Sequence, residues 1–326
     1  MKPALFLLAA LPLMGQPKLL VNAKLDTKSA AAGLEREFKA LLTAQPQPAW
    51  IGYSVPAVRG AEMGCEYVRD GNSIAGIVHL EPPDHVVIMF RVEAGAVNKL
   101  RSLSPDCEID AGDLPVHWLT DVAPAQSVAL LSNYVAQRDF DSNGSLSAIA
   151  AHADPAADPV LDKYLAQNQP EWLRRNAASL EASRRGAHGV EAVKNVIAND
   201  MSESVKQGAL SGLARNKTPE ALNLLISTAK TARDPRTRGQ AISSMNRKQG
   251  PGVMDAINNA IANDPDVQVR RRGVDALAQL PDGSGIPALI QLVKTSKDVE
   301  VRKQAMNKLQ NSHDSRAEAF FEEVLK

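Results

Sequence analysis

The sequence predicts a small α+β domain followed by an all-α solenoid, a superhelix of antiparallel helix pairs. Three observations predict it. Residues 173 to 309 repeat with a period of 32: Leu173-Arg174-Arg175-Asn176-Ala177, Val205-Lys206-Gln207-Gly208-Ala209, Thr237-Arg238-Gly239-Gln240-Ala241, Val269-Arg270-Arg271-Arg272-Gly273 and Val301-Arg302-Lys303-Gln304-Ala305 stand in register without a gap. Upstream of Pro124 the texture differs, with short β-branched and aromatic runs between turn residues. Aromatics make up only 4% of a chain that is 44% hydrophobic, as in helical arrays packed with Leu, Ile, Val and Ala.

In chain order, residues 1–23 read as an export signal. Lys2 gives a positive start, and Ala4 through Met14 form an apolar run the length of a signal-peptide core, too short to span a bilayer. Val21-Asn22-Ala23 fits the small-residue cleavage rule better than Leu13-Met14-Gly15. No cysteine follows the run, so a lipid anchor is not expected. The protein is expected in the periplasm or outside the cell, with no transmembrane segment. Cys65 and Cys107 agree with that location, because an even pair in an oxidising compartment is a candidate disulfide. Such a bond would stabilise the fold by up to about 4 kcal/mol in the chain-entropy model. Two separate buried thiols are the alternative.

Residues 24–123 form the small α+β domain. Ser29 to Leu42 has the apolar spacing of a helix through Leu34, Phe38, Leu41 and Leu42. Strands are expected at Trp50–Val55, Cys65–Val68, Ser73–Leu80, His85–Val92, Val97–Leu103 and Val116–Leu119, with antiparallel pairing.

Residues 124–326 hold about six helix-pair units. Gln126 to Gln137 is amphipathic, and Val160, Leu161, Tyr164 and Leu165 mark a degenerate unit before the clear five. In each later unit an apolar residue opens the first helix and a small Ala or Gly follows four places on. The second helix repeats Val193, Leu225, Ile257, Leu289 and Phe321, then Ile197, Ala229, Ile261, Val293 and Leu325, with Ala229 the weak member. Ser202, Asp234, Asp266 and Asp298 precede the first helices, where a side-chain oxygen caps free backbone amides.

Asp266, Val269-Arg270 and Leu277, then Asp298, Val301-Arg302, Ala305 and Leu309, resemble the HEAT-like repeat of the phycobilisome-lyase type over residues 145–326. The resemblance implies a right-handed superhelix whose second helices line the concave face. It also implies that the cations Arg174, Lys206, Arg238, Arg270 and Arg302 stack between repeats and pair with Asp234, Asp266 and Asp298. A row of cations at helix-packing spacing of roughly 10 Å also suits a phosphate backbone. The internal ladder and the exported location both weigh against nucleic acid as a partner. The net charge is zero, with 13 basic and 19 acidic side chains in residues 1–170 against 24 and 18 in the rest, far from a nucleic-acid-binding tail.

Little points to catalysis. The histidines His79, His85, His117, His152, His188 and His313 form no zincin spacing. None is followed by Glu, so the His-Glu pairs of di-iron hydroxylases that share this repeat are missing. There is no hydrolase elbow, phosphate loop or dinucleotide fingerprint. No metal or cofactor is expected. Asp139-Phe140-Asp141-Ser142-Asn143-Gly144 starts like a calcium loop, but Ala150 stands where the closing Glu belongs, and a turn between helices is the simpler reading.

The expectation is therefore an exported, non-catalytic scaffold that binds another protein. The exposed column Asn195, Ser227, Asn259 and Gln291, continued by Glu323, is the expected partner-binding row. An alternative places a small-ligand or enzymatic site in the N-terminal domain near Trp50, Tyr53, His117 and Trp118. A third possibility is homo-oligomerisation through the C-terminal helix, which ends in Phe320-Phe321 and Val324-Leu325.

Overall fold

The computed structural model describes residues 19–59, 65, 84–135, 142–246, 248, 250 and 252–324. Contacts divide the chain into two compact units, Met1–Val160 and Leu161–Lys326. The first unit extends beyond Pro124 because two helices, α2 (Pro124–Ser132) and α3 (Ser142–Ala151), pack onto the sheet.

That sheet has five strands in the order β2-β7-β3-β4-β5. Its members are β2 (Lys24–Ser29), β3 (Ala49–Pro56), β4 (His85–Glu93), β5 (Ala96–Leu103) and β7 (Pro115–Thr120). The expected antiparallel pairing holds for β3, β4 and β5. It fails for β2 and β7, because β2 and β3 both run parallel to β7. The sheet is mixed. The cause is α1 (Leu34–Ala44), which carries the chain from β2 back to β3; parallel strands need such a crossover. A separate parallel pair joins β1 (Leu19–Val21) to β6 (Glu108–Asp110). The strand β1 therefore lies inside the stretch assigned to the leader. The strands expected at Cys65–Val68 and Ser73–Leu80 lie outside the described residues, apart from Cys65.

One face of the sheet is covered by α1, α2 and α3. Phe38 meets Phe90 edge-on at 4.8 Å, and Tyr53 and Tyr134 flank the same ring. A wholly buried polar chain crosses this core: Ser127 Oγ is 2.9 Å from both Tyr53 Oη and His152 Nε2, and His152 Nδ1 donates to the Ala148 carbonyl at 2.7 Å. Burial pushes the Tyr53 hydroxyl far above its usual pKa. The other face holds a smaller cluster of Val87, Met89, Ala111, Val116 and Trp118, against which Leu20 and Ala23 pack. The expected disulfide is present, linking Cys65 to Cys107 with Cα atoms 5.4 Å apart.

The second unit is an array of HEAT-like helix pairs. First helices are α5 (Glu171–Arg184), α7 (Glu203–Arg215), α9 (Pro235–Ser244), α11 (Val267–Ala278) and α13 (Val299–Gln310). Their second helices are α6 (Gly186–Asn199), α8 (Pro219–Thr231), α10 (Val253–Asn263), α12 (Ile286–Thr295) and α14 (Ser315–Val324), and α4 (Ala157–Leu165) leads in. The opening column Leu173, Val205, Thr237, Val269 and Val301 is buried throughout. Thr237 survives there because its hydroxyl donates to Glu203 Oε2 at 3.3 Å. Gly273 replaces Ala because Ile261 fills its place; a Cβ would lie 2.5 Å from Ile261 Cγ1. The caps form as expected, with Ser202, Asp234, Asp266 and Asp298 each accepting first-turn amides. From Ser142 onward the supposed calcium loop is already helix α3, so no twelve-residue loop follows; Asp139 to Asp141 lie outside the described residues.

Candidate functional site

Each second helix turns its apolar stripe inward and leaves one side to solvent. On that side Asn195, Ser227, Asn259 and Gln291 are all exposed, at the same place in α6, α8, α10 and α12. A second row runs one turn further on: Asn199, Thr231, Asn263 and Thr295, exposed as well. Sequence reading missed it, although it is the same 32-residue period displaced by four, the spacing of helical neighbours.

The two rows are joined within each helix. Asn199 Nδ2 donates to Asn195 Oδ1 at 2.6 Å, and Asn263 Nδ2 to Asn259 Oδ1 at 2.8 Å. Thr231 and Thr295 donate to the carbonyls of Ser227 and Gln291, each at 2.9 Å. Asn195 and Asn259 spend only acceptor capacity in these bonds. Their own NH2 groups remain for an outside acceptor.

Between α8 and α10 the surface sinks into a hollow of about 260 Å³ beside Ala229, Ala232, Ala256 and Ala260, rimmed by Asn259 and Asn263. The weak apolar member of its column, Ala229, is one reason for it.

The basic column is internal bracing, but its acid partners differ from the expected set. Arg174 Nε and Nη2 donate to Asp200, at 3.1 and 3.3 Å. Arg238 donates to Asp264 at 2.7 and 2.9 Å, and Arg270 to Asp298 at 2.8 Å. Asp234 and Asp266 are corrected from arginine partners to helix caps. The reason is reach: Arg174 and Arg238 point at the residue that ends their own second helix, 26 positions on, and Arg270, with Ser296 at that place, reaches two residues further to Asp298. The Nη1 of each arginine in the column holds carbonyls at the end of the preceding helix or loop: Gln169, Ala232, Asp264 and Ser296. Cations suit helix C-termini for the same reason. Lys206 departs from the column and pairs with Glu203 in its own helix at 2.9 Å.

Asp264 and Asp298 are held below the usual carboxylate range. Burial works against ionisation at both, and hydrogen bonds from arginine and backbone amides outweigh it.

Two other clusters bear on chemistry. His188 Nε2 lies 3.3 Å from Asp162 Oδ1 and 3.4 Å from Glu181 Oε1, and these three donor atoms sit within 4.8 Å of one another. No sequence spacing announced them. In the first unit, Trp50, Tyr53, His117 and Trp118 do not converge, because strand alternation sends them to opposite faces. Tyr53 and Trp118 are packed into the two cores. His117 Nε2 hydrogen-bonds Gln45 Oε1 at 3.1 Å, and its Nδ1 lies 2.6 Å from Asp26 Oδ1. Trp50 borders a cavity of about 190 Å³, on the face away from the helices.

Residues 254–326 match the family of HEAT repeats. No curated protein matches the chain. Among solved structures, a complex of CpcE and CpcF of phycocyanin lyase from Nostoc sp. PCC7120 aligns with TM-score 0.34 and 18% identity, covering 48% of this chain and 99% of that one. Human deoxyhypusine hydroxylase in complex with glycerol aligns with TM-score 0.32 and 12% identity, covering 62% of this chain and 96% of that one. Likenesses of this size say nothing of activity or partner. Among the described residues, no helix is long and apolar enough to cross a membrane.

Proposed function

We propose that the protein is an exported, non-catalytic scaffold that binds another protein along the exposed side of its second helices. The observation that supports this most is the pair of period-matched rows, Asn195, Ser227, Asn259, Gln291 and Asn199, Thr231, Asn263, Thr295. They hold no charge, offer amide donors at Asn195 and Asn259 and recur at four successive repeats before Glu323 takes the place in the fifth, so they suit peptide groups and polar side chains rather than phosphate. The test is capture of the partner from the native envelope or secreted fraction with wild-type protein and with Asn195→Arg, Asn259→Arg and Gln291→Arg combined. Loss of the partner from the triple variant, at unchanged melting temperature, is expected; equal recovery overturns the reading.

Export carries a second expectation. Cleavage after Ala23 would remove β1 and Asn22 just past it; the Val21 and Asn22 carbonyls accept from Ala111 and Asp113 at 3.0 and 2.8 Å. We therefore place the cleavage upstream of Leu19, after Gly15. N-terminal sequencing of the secreted protein decides between the two sites. Homo-oligomerisation through α14 has less to support it: Phe320 is already buried beneath Lys294, leaving Val324 as the exposed apolar residue. Light scattering that gives a monomer ends that idea.

The cavity beside Trp50 favours a second reading, in which the first unit also receives a small ligand.

A further inference from the structure

We propose that Asp162, Glu181 and His188 form a binding site for a divalent metal ion of the zinc type at the start of the helical array, a property separate from the scaffold role. Three helices supply the donors: Asp162 comes from α4, Glu181 from α5 and His188 from the first turn of α6. The separations have the size of a coordination shell. Zinc holds imidazole nitrogen and carboxylate oxygen at about 2.0–2.2 Å, so neighbouring donors of a tetrahedral shell stand roughly 3.3–3.6 Å apart. His188 Nε2 lies 3.3 Å from Asp162 Oδ1 and 3.4 Å from Glu181 Oε1, and all three atoms fall within 4.8 Å of one another. A protonated His188 bridging the two carboxylates is the competing account. It fits less well, because Nε2 has a single hydrogen to give and charge-assisted bonds close to about 2.7–2.9 Å.

The burial of Glu181 calls for a cation. Its place in the 32-residue period belongs to Leu213, Met245, Leu277 and Leu309 in the later units, all of them buried in the core. Glu181 is buried just as completely, with both carboxylate oxygens out of reach of water. An ionised carboxylate is rarely kept in such a place unless a positive charge meets it or a metal binds it. The crossing that brings α6 onto it is ordinary for the array. A Cβ on Gly189 would strike the Glu181 carbonyl oxygen, just as one on Gly285 would strike that of Leu277. What sets this unit apart is the chemistry placed on a standard crossing.

The mouth is open to solvent. The side chains of Asp162 and His188 keep 44% and 42% of their exposure, against none for Glu181. An ion entering there would meet two carboxylates and a neutral imidazole, which balance its charge and leave a fourth position for water. One nitrogen and two oxygens suit zinc, cobalt or nickel better than calcium, which takes about six to eight oxygens.

The test uses the full, untagged chain, stripped with EDTA and titrated with Zn2+, Co2+ and Ca2+ by calorimetry and thermal melting. Zinc is expected to saturate at one ion per chain and, at a hundredfold excess over its Kd, to raise Tm by about 5 °C. Cobalt should bind at the same stoichiometry with a visible d–d spectrum, and calcium at the same concentration should do neither. His188→Ala and Asp162→Asn should each weaken zinc by about a hundredfold or more. Glu181→Leu restores the residue of the later units. It should therefore melt at or above the metal-free wild type and still lose the zinc response, which separates loss of the site from loss of the fold. A Tm unmoved by zinc, equal zinc responses in wild type and Glu181→Leu, or calcium binding as tight as zinc overturns the proposal.

Discussion

The repeat containing α9 and α10 and the repeat containing α7 and α8 look alike in sequence, yet they are fastened differently. In the former, Arg238 ties the C-terminal carbonyl of α8 to the carboxylate of Asp264 at the end of α10. In the latter, the corresponding positions are Lys206 and Ala232, and the brace is missing. Lys206 stays on its own helix with Glu203, and Glu203 in turn accepts from Thr237 of the next repeat. The same alternation recurs at both ends: Arg174 finds Asp200, whereas Arg270 meets Ser296 at the equivalent place and reaches on to Asp298. A planar guanidinium can hold two carbonyls and a carboxylate at once; an ammonium on a flexible stem holds fewer partners in fixed geometry. The lesson is that a regular period fixes the helices, while the fastening between them is decided unit by unit.

Breaking the braces should have the largest effect. The Arg174–Asp200 and Arg238–Asp264 pairs are nearly dry, with side-chain exposures of 9% and 1%, and of 12% and 6%. Removing one partner leaves a buried charge, which costs roughly 3–5 kcal/mol in such settings. Arg174→Met and Arg238→Met should each fall near about 3 kcal/mol, and Lys206→Met below about 1 kcal/mol. Urea unfolding of the three variants checks this, and equal losses at all three positions would erase the distinction between the repeats.

The braces also show what could be read in the sequence and what could not. The array was legible because five units repeat one pattern, β3, β4 and β7 because they are rich in apolar and β-branched residues, and β5 because Val97, Leu100 and Leu103 stand between turn residues. The strand β2 escaped notice since Lys24-Leu25-Asp26-Thr27-Lys28-Ser29 is exposed along its whole length at the sheet edge, so it has no hydrophobic alternation to detect. The short β1 and β6 pair only with each other among the described residues. The pairing of Arg238 with Asp264 was hidden because the nearer acid column, at Asp234 and Asp266, offered an equally regular partner. Only the fold shows that those residues face the first-turn amides instead. The Asn199 row was present in the text but passed over, because surface polarity carries no packing signal to draw attention to it.

Acid should separate the two kinds of repeat as well. The folded state holds Asp264 and Asp298 below the ordinary carboxylate pKa, which is about 3.9 in the unfolded chain. A depressed folded pKa contributes stability that is fully present above the unfolded value and is lost as pH falls through the folded one. Wild-type protein should therefore lose stability progressively on acidification below about pH 5. In Arg238→Met the arginine's share of the Asp264 contribution is lost at neutral pH already, while the Asp266 amide and the Arg270 charge still act on it, so stability should decline less steeply over the same window. Parallel curves for the two proteins, measured by denaturation at successive pH values, would mean that the pair contributes nothing to the linkage.

The smallest expected effect is the most exacting, since it asks whether the missing brace can be built. The backbone at Ala232 has φ −63° and ψ 134°, against −67° and 130° at Asp264 and −65° and 136° at Asp200. A carboxylate introduced by Ala232→Asp would start from the same direction as the two that work. It would also meet the amide two residues on, as Asp200 accepts from Ser202 and Asp264 from Asp266, at 2.8 and 2.9 Å. Lys206→Arg supplies the fork that reaches it. Together the two substitutions should add about 1 kcal/mol, more than the sum of the single changes, because neither completes the pair alone. A double-mutant cycle on melting temperature and urea midpoint measures that surplus directly. An additive cycle would show that the α7–α8 repeat departs from its neighbours in more than these two side chains, with Ala229 and the hollow beside it the next place to look.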